Sequence, residues 1–190
     1  MPRLRVIAGE SGVSRAGGSL SPRIRSAELL FVRRCTSSKS GACFLAVLGS
    51  KLGNGWAYPL LAFALVCTSG AHMLKAMLVA AVCVALLHAV YPFVKARVAR
   101  PRPFDADPGL RSLLPPLDRH SFPSGHLMTF TAVAVPVGIA FPASVAPLLG
   151  LWLFIAWARI ACAHHYPSDI LAGSLMAFTV STPLALWSLT

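Results

Sequence analysis

Three short segments of the chain carry the side chains best suited to chemistry. Lys95, Arg102 and Pro103 lie in the first, Pro123, Ser124, Gly125 and His126 in the second, and Arg159, His165 and Asp169 in the third. Lys95, Arg102 and Arg159 are cations able to surround the oxygens of a phosphate: a guanidinium offers a planar fork to two oxygens, an ammonium a point charge. Ser124, Gly125 and His126 stand where an apolar run begins. They read as a helix N-terminus whose free N–H groups favour an anion, with glycine permitting close backbone approach. Two histidines remain for catalysis. His165, with Asp169 to orient and charge-stabilise it, is suited to act as a nucleophile, and His126 to protonate a leaving oxygen. Phosphoryl transfer asks mainly for positioning and charge neutralisation. Asp105, Asp107 and Asp118 show no ligand pattern for a divalent cation, so neither a metal nor a cofactor is expected.

The stretches between these segments have to bring them together. Residues 52–74, 76–94, 120–158 and 170–190 contain no Asp, Glu, Lys or Arg. A bilayer core needs about 20 apolar residues per helix. The runs therefore predict transmembrane helices at about 54–70, 73–94, 127–142, 146–163 and 170–189, with Pro136 a candidate kink in the third. Backbone polar groups cannot be left open to lipid, so the expected fold is an all-α, polytopic membrane helix bundle of about five to six transmembrane helices. Each reactive segment separates one apolar run from the next, and bundling places all three at one end. Residues 95–126 hold Lys95, Arg97, Arg100, Arg102, Arg111 and Arg119 together with six prolines, a rigid cationic loop at the membrane surface.

Composition narrows the class. Of 190 residues, 56% are hydrophobic and 12% charged. Soluble domains carry roughly 25% charge, so the composition argues against a soluble enzyme and excludes a disordered chain and a coiled coil. The net charge of +11 suits an anionic membrane surface or a phosphorylated substrate. Nucleic acid is not expected as a partner, because the apolar bulk leaves little soluble surface. Cys35, Cys43, Cys67, Cys83 and Cys162 are odd in number and scattered, and read as packing residues. His88 reads as packed within the bundle, and Trp56, Tyr58, Tyr91 and Trp187 as interface or packing aromatics. The first 26 residues, rich in Gly, Ser and Arg, read as disordered: an organellar transit peptide or a cytoplasmic tail. Residues 27–50 are expected to form one short amphipathic helix.

At these three segments the chain resembles the type 2 phosphatidic acid phosphatase superfamily, which includes vanadium haloperoxidases and bacterial acid phosphatases. The pattern Lys-x6-Arg-Pro is met by Lys95, Arg102 and Pro103, and Pro-Ser-Gly-His by residues 123–126. The third, Ser-Arg-x5-His-x3-Asp, is met by Arg159, His165 and Asp169, with Ala158 in place of its serine. The resemblance covers about 40–190, which suggests a basic, disordered segment 1–40 and a membrane phosphatase domain 41–190. It implies a phosphatase acting without metal on a phosphomonoester or pyrophosphate of a lipid: phosphatidate, phosphatidylglycerophosphate or a polyprenyl pyrophosphate. It further implies a phosphohistidine at His165, with His126 as acid and then base. The expected setting is multi-pass in a bacterial inner membrane or an organellar membrane, with the bilayer and a phosphorylated lipid as partners. The alternative is a catalytically silent membrane protein that binds or moves phospholipids.

Overall fold

A computed structural model describes residues 22–36, 39–54 and 57–190. Every regular element among them is helical: α1 (Pro22–Cys35), α2 (Ser40–Leu52), α3 (Ala57–Val98), a single turn α4 (Pro103–Ala106), α5 (Gly125–Ala140), a 3-10 turn (Pro142–Ser144), α6 (Val145–Ala161) and α7 (Pro167–Leu189). α3 is interrupted at Gly70, whose φ of 70° and ψ of −154° are not helical. The break divides the two apolar runs expected at about 54–70 and 73–94.

Helix faces are sorted as a bilayer demands. On α3, Leu74, Leu78, Val82, Leu86 and Val90 recur every fourth residue and are exposed, while Met73, Ala76, Ala80, Cys83 and Leu87 are buried. Large apolar side chains thus face lipid, and mostly smaller ones let neighbouring helices approach, since lipid offers no hydrophobic gain for burying more. Among the described residues, three helices are long and apolar enough to cross a membrane: Gly70–Ala106, Pro142–Ala161 and Pro167–Leu189. α5, expected at about 127–142, has 16 residues and lies among the shorter apolar helices. Its length is about 24 Å, less than a hydrocarbon core.

α5 is nonetheless the centre of the bundle. Met128 and Ala132 pack with Cys83 and Leu87 of α3 and Ala177 of α7. Leu127 and Phe130 pack on another side with Ile155 and Ile160 of α6 and Ile170 of α7. The α5 and α7 N-termini meet closely: a Cβ on Gly173 would lie 2.4 Å from the Ser124 carbonyl oxygen, so only glycine fits there.

The N-terminal expectation needs correction over its described part. Residues 1–21 lie outside the described residues, but 22–35 are helical rather than disordered, and 27–50 form parts of two helices rather than one. α1 is held because its apolar side packs inward. Val32 is fully buried in the main core cluster, with Leu29 and Cys35 packed against it.

Candidate active site

The end of α6 turns the chain back on itself. Ala163 takes φ 55°, its N–H bonds the Ile160 carbonyl, and the His164 N–H bonds the Arg159 carbonyl. This is the paired-bond C-terminal cap usually built on glycine. It brings His165 back beside Arg159, with Nε2 of the imidazole 3.4 Å from Nη2 of the guanidinium. His165 Nδ1 lies 2.7 Å from the backbone oxygen of Ser121. A carbonyl only accepts, so Nδ1 carries the proton and Nε2 presents its lone pair. Ser121 is itself pinned, its N–H donating to the Arg100 carbonyl at 2.8 Å and its hydroxyl to the Pro101 carbonyl at 3.1 Å.

Asp169 stands behind His165 rather than on it. Its Oδ2 is 3.8 Å from His165 Nδ1, beyond hydrogen-bond range, and accepts instead from the Tyr166 N–H at 2.8 Å. Its Oδ1 accepts from Arg100 at 2.7 Å. Arg100 also donates to Glu28 of α1 at 2.7 Å and stacks on the Tyr166 ring, 3.8 Å from the centroid. Asp169 was expected to orient and charge-stabilise His165; here the Ser121 carbonyl accepts the hydrogen bond from Nδ1, and the Asp169 carboxylate lies 3.8 Å from the same nitrogen.

Lys95 and Arg102 converge on Asp118. Lys95 Nζ donates to one carboxylate oxygen at 2.7 Å and Arg102 Nη2 to the other at 2.7 Å. Arg102 is further anchored by donating to the His164 carbonyl at 2.8 Å. Lys95 also donates to the Tyr91 hydroxyl, which donates in turn to Asp118 at 3.3 Å. Between the two cations the chain turns at Ala99, where φ is 47°.

Arg159 is buried, bonds the Ser50 hydroxyl of α2 through Nη1, and makes no ion pair with any carboxylate among the described residues. Its Nε has no partner, and neither does the buried Ser124 hydroxyl at the N-cap of α5. Buried polar atoms are rarely left so. His126 Nε2 lies 3.0 Å from Asn54 Oδ1, just after α2. Arg102, Asp118, Gly125, His126, Arg159 and His165 line one cavity of about 800 Å³, to which Tyr58, Tyr91 and His88 also contribute. The expected packing role of Tyr58 and Tyr91 is thus widened, and His88 is exposed rather than packed inside. Ala158 lies elsewhere, its methyl facing Gly49 of α2.

Electrostatics favour a neutral imidazole. Burial, followed by the charges of Arg159, Arg102 and Lys95, holds His165 well below the usual histidine value. Burial works against ionisation of Asp118, but its bonds to Lys95 and Arg102 outweigh this and keep its carboxyl below the ordinary range. All eight residues expected from sequence (Lys95, Arg102, Ser124, Gly125, His126, Arg159, His165 and Asp169) come to one end of the bundle. Asp118, Ser121, Asn54, Ser50, Arg100 and Glu28 were not expected. Arg100 alone had a sequence signal, as a cation beside the Arg-Pro pair.

Comparison with known proteins bears on the fold and the family. Two solved structures share the fold. One is a transmembrane PAP2-type phosphatidylglycerolphosphate phosphatase from Bacillus subtilis, with a TM-score of 0.67 and 15% identity over 88% of this chain and 87% of that one. The other is LpxE from Aquifex aeolicus, with a TM-score of 0.65 and 20% identity over 85% of this chain and 93% of that one. No curated protein sequence matches the chain. The family model of the PAP2 superfamily matches residues 74–190, which contain all three reactive segments, and the chain accordingly belongs to that superfamily.

Proposed function

We propose that this membrane phosphatase hydrolyses the phosphomonoester or pyrophosphate of a lipid through a phosphohistidine on His165, without a metal ion. The observation that carries this reading is the pairing of a neutral His165 Nε2 with the Arg159 guanidinium, whose Nε is buried and unpartnered. A phosphate oxygen would satisfy that donor while its phosphorus faces Nε2. In the first step the Nε2 lone pair forms a bond to phosphorus as the bond to the leaving oxygen breaks. An arriving phosphate dianion favours the imidazolium form of His126, which then gives its proton to the leaving oxygen. In the second step His126 takes a proton from water, the hydroxide oxygen bonds to phosphorus, and the N–P bond returns its electron pair to His165.

Lys95, Arg102 and Arg159 would offset the charge on the transferring group. A lipid substrate is supported by the spanning helices on either side of the site and by the likeness to the Bacillus subtilis phosphatase, which is named for a phosphorylated glycerolipid. Metal independence is supported by the donor set: among the described residues no three His, Cys, Asp or Glu side chains gather as a metal site.

The test is phosphate release by the detergent-solubilised full chain from a panel of lipid phosphates, with chelator present. Turnover unchanged by chelator, competitive inhibition by vanadate and an acid-labile phosphoenzyme are expected. Loss of turnover in chelator with rescue by Mg²⁺ would remove the metal-free mechanism. Phosphate binding without release from any substrate would instead support the silent lipid-binding protein.

A further inference from the structure

The cavity extends well beyond the phosphate-binding cations. Descending α3 from Lys95, positions Tyr91, His88, Val84, Ala81 and Met77 recur every three or four residues on one face, and all five line it. On α5 the lining positions are His126, Thr129 and Val133. Below His88 and Thr129 the lining is wholly apolar, with Met77, Ala80, Ala81, Val84 and Val133. The cavity therefore has a cationic mouth and an apolar limb running along the α3–α5 cleft.

His88 and Thr129 mark the boundary. His88 Nε2 lies 2.8 Å from Thr129 Oγ1, across the cleft. At 1.5 Å per residue, His88 is about 10 Å deeper than Lys95, and Thr129 about 4.5 Å deeper than His126. An exposed histidine in the middle of a spanning helix is costly in lipid, and such residues tend to mark a substrate path. The proposed chemistry at His165 does not use it.

We infer, resting on the lipid phosphatase reading above, that His88 and Thr129 form a subsite for an ester carbonyl of a diacylglycerol phosphate, whose acyl chain follows the apolar limb. The depth decides the class. A glycerolipid carries ester carbonyls a few covalent bonds below its phosphate, within reach of an imidazole N–H and a hydroxyl. A polyprenyl chain offers only C–H groups at that level, so it leaves the polar pair nothing to bind. A site built to hydrogen-bond a substrate group discriminates against the analogue that lacks it.

The experiment compares a diacylglycerol phosphate with its dialkyl-ether analogue, which keeps the shape but lacks both carbonyls, and with a polyprenyl pyrophosphate. The full-length protein is assayed in mixed micelles as wild type, Thr129→Val and His88→Phe. Wild type should prefer the ester to the ether by about tenfold in kcat/KM, roughly one hydrogen bond's worth. Each variant should erase most of that preference. Equal rates on ester and ether by wild type, or a preference that survives in both variants, overturns the subsite and leaves only a helix-to-helix clasp. The wild-type comparison needs no variant to fold. Turnover of polyprenyl pyrophosphate alone would overturn the subsite while sparing the phosphatase reading. Release of phosphate from none of the three would bring both down.

Discussion

The backbone carbonyl of Ser121 receives the Nδ1 proton of His165 at 2.7 Å, and this single contact sets which nitrogen of the buried imidazole is free. With the proton held on Nδ1, the Nε2 lone pair points toward Arg159. The tautomer is decided by main chain, and the Asp169 carboxylate, 3.8 Å from Nδ1, stands behind it.

The first expectation concerns His165 itself. His165→Ala should abolish phosphate release while the protein still purifies and melts as a folded species. A nucleophile is worth many orders of magnitude. Residual activity above about one percent in a steady-state assay would take the nucleophile's role from this residue.

Arg159→Lys should cost roughly 1.5–3 kcal/mol, about ten- to hundredfold in kcat/KM, because an ammonium cannot reproduce the fork that reaches Ser50, His165 and an anion together. Arg97→Lys is the matched control: Arg97 is exposed and, although two residues beyond Lys95, is not one of the motif positions, so the same substitution there should change little. Equal losses at both positions would mean that only diffuse positive charge matters.

Stability should depend on pH with a definite sign. Burial, then the charge of Arg159, pushes His164 down to about 3, and His165 is likewise held well below 6.5. Both folded values lie under the unfolded one, so the unfolded chain binds more protons as pH falls. The stability is complete above about pH 6.5 and is lost progressively below it, over a window reaching toward 3 for His164. The slope should approach about 1.4 kcal/mol per pH unit for each histidine. Melting in detergent between pH 8 and 5 checks this; a flat profile contradicts it.

Asp118→Asn should strengthen binding of small oxyanions. The carboxylate now neutralises Lys95 and Arg102, so removing its charge leaves both cations to the ligand. An ion pair whose carboxylate is partly open to solvent is worth roughly 0.5–1 kcal/mol, so the inhibition constant for vanadate should fall about two- to fivefold. A weaker inhibition constant in a folded variant would show that Asp118 orders the cations rather than competing with substrate.

Asn54→Ala should lower kcat by about tenfold with KM little changed, since the amide oxygen holds His126 and general acid–base catalysis is worth 10² or more. Asn54→Asp keeps an acceptor oxygen and should recover much of the rate. Loss of KM and kcat together, without recovery, would point to a damaged fold instead.

Residue types and spacing alone determined a great deal here. The uncharged runs announced membrane helices, because bilayer thickness and the ban on unpaired backbone polar groups leave few alternatives. Lys95, Arg102, His126, Arg159, His165 and Asp169 were legible because their chemistry is carried by side-chain type at fixed local intervals. The rest depended on tertiary contact. Asn54 and His126 are 72 residues apart, Glu28 and Arg100 are also 72 apart, and Ser50 and Arg159 are 109 apart. No local pattern encodes such pairings, and an asparagine or serine near a helix end ordinarily signals a cap or turn. α1 looked like a basic tail because its charges dominate its composition. Only the packed structure shows Val32 in the core and Glu28 against Arg100. The partner of His165 was the least legible feature, since a backbone carbonyl is common to every residue, and folding alone decides which one an imidazole meets.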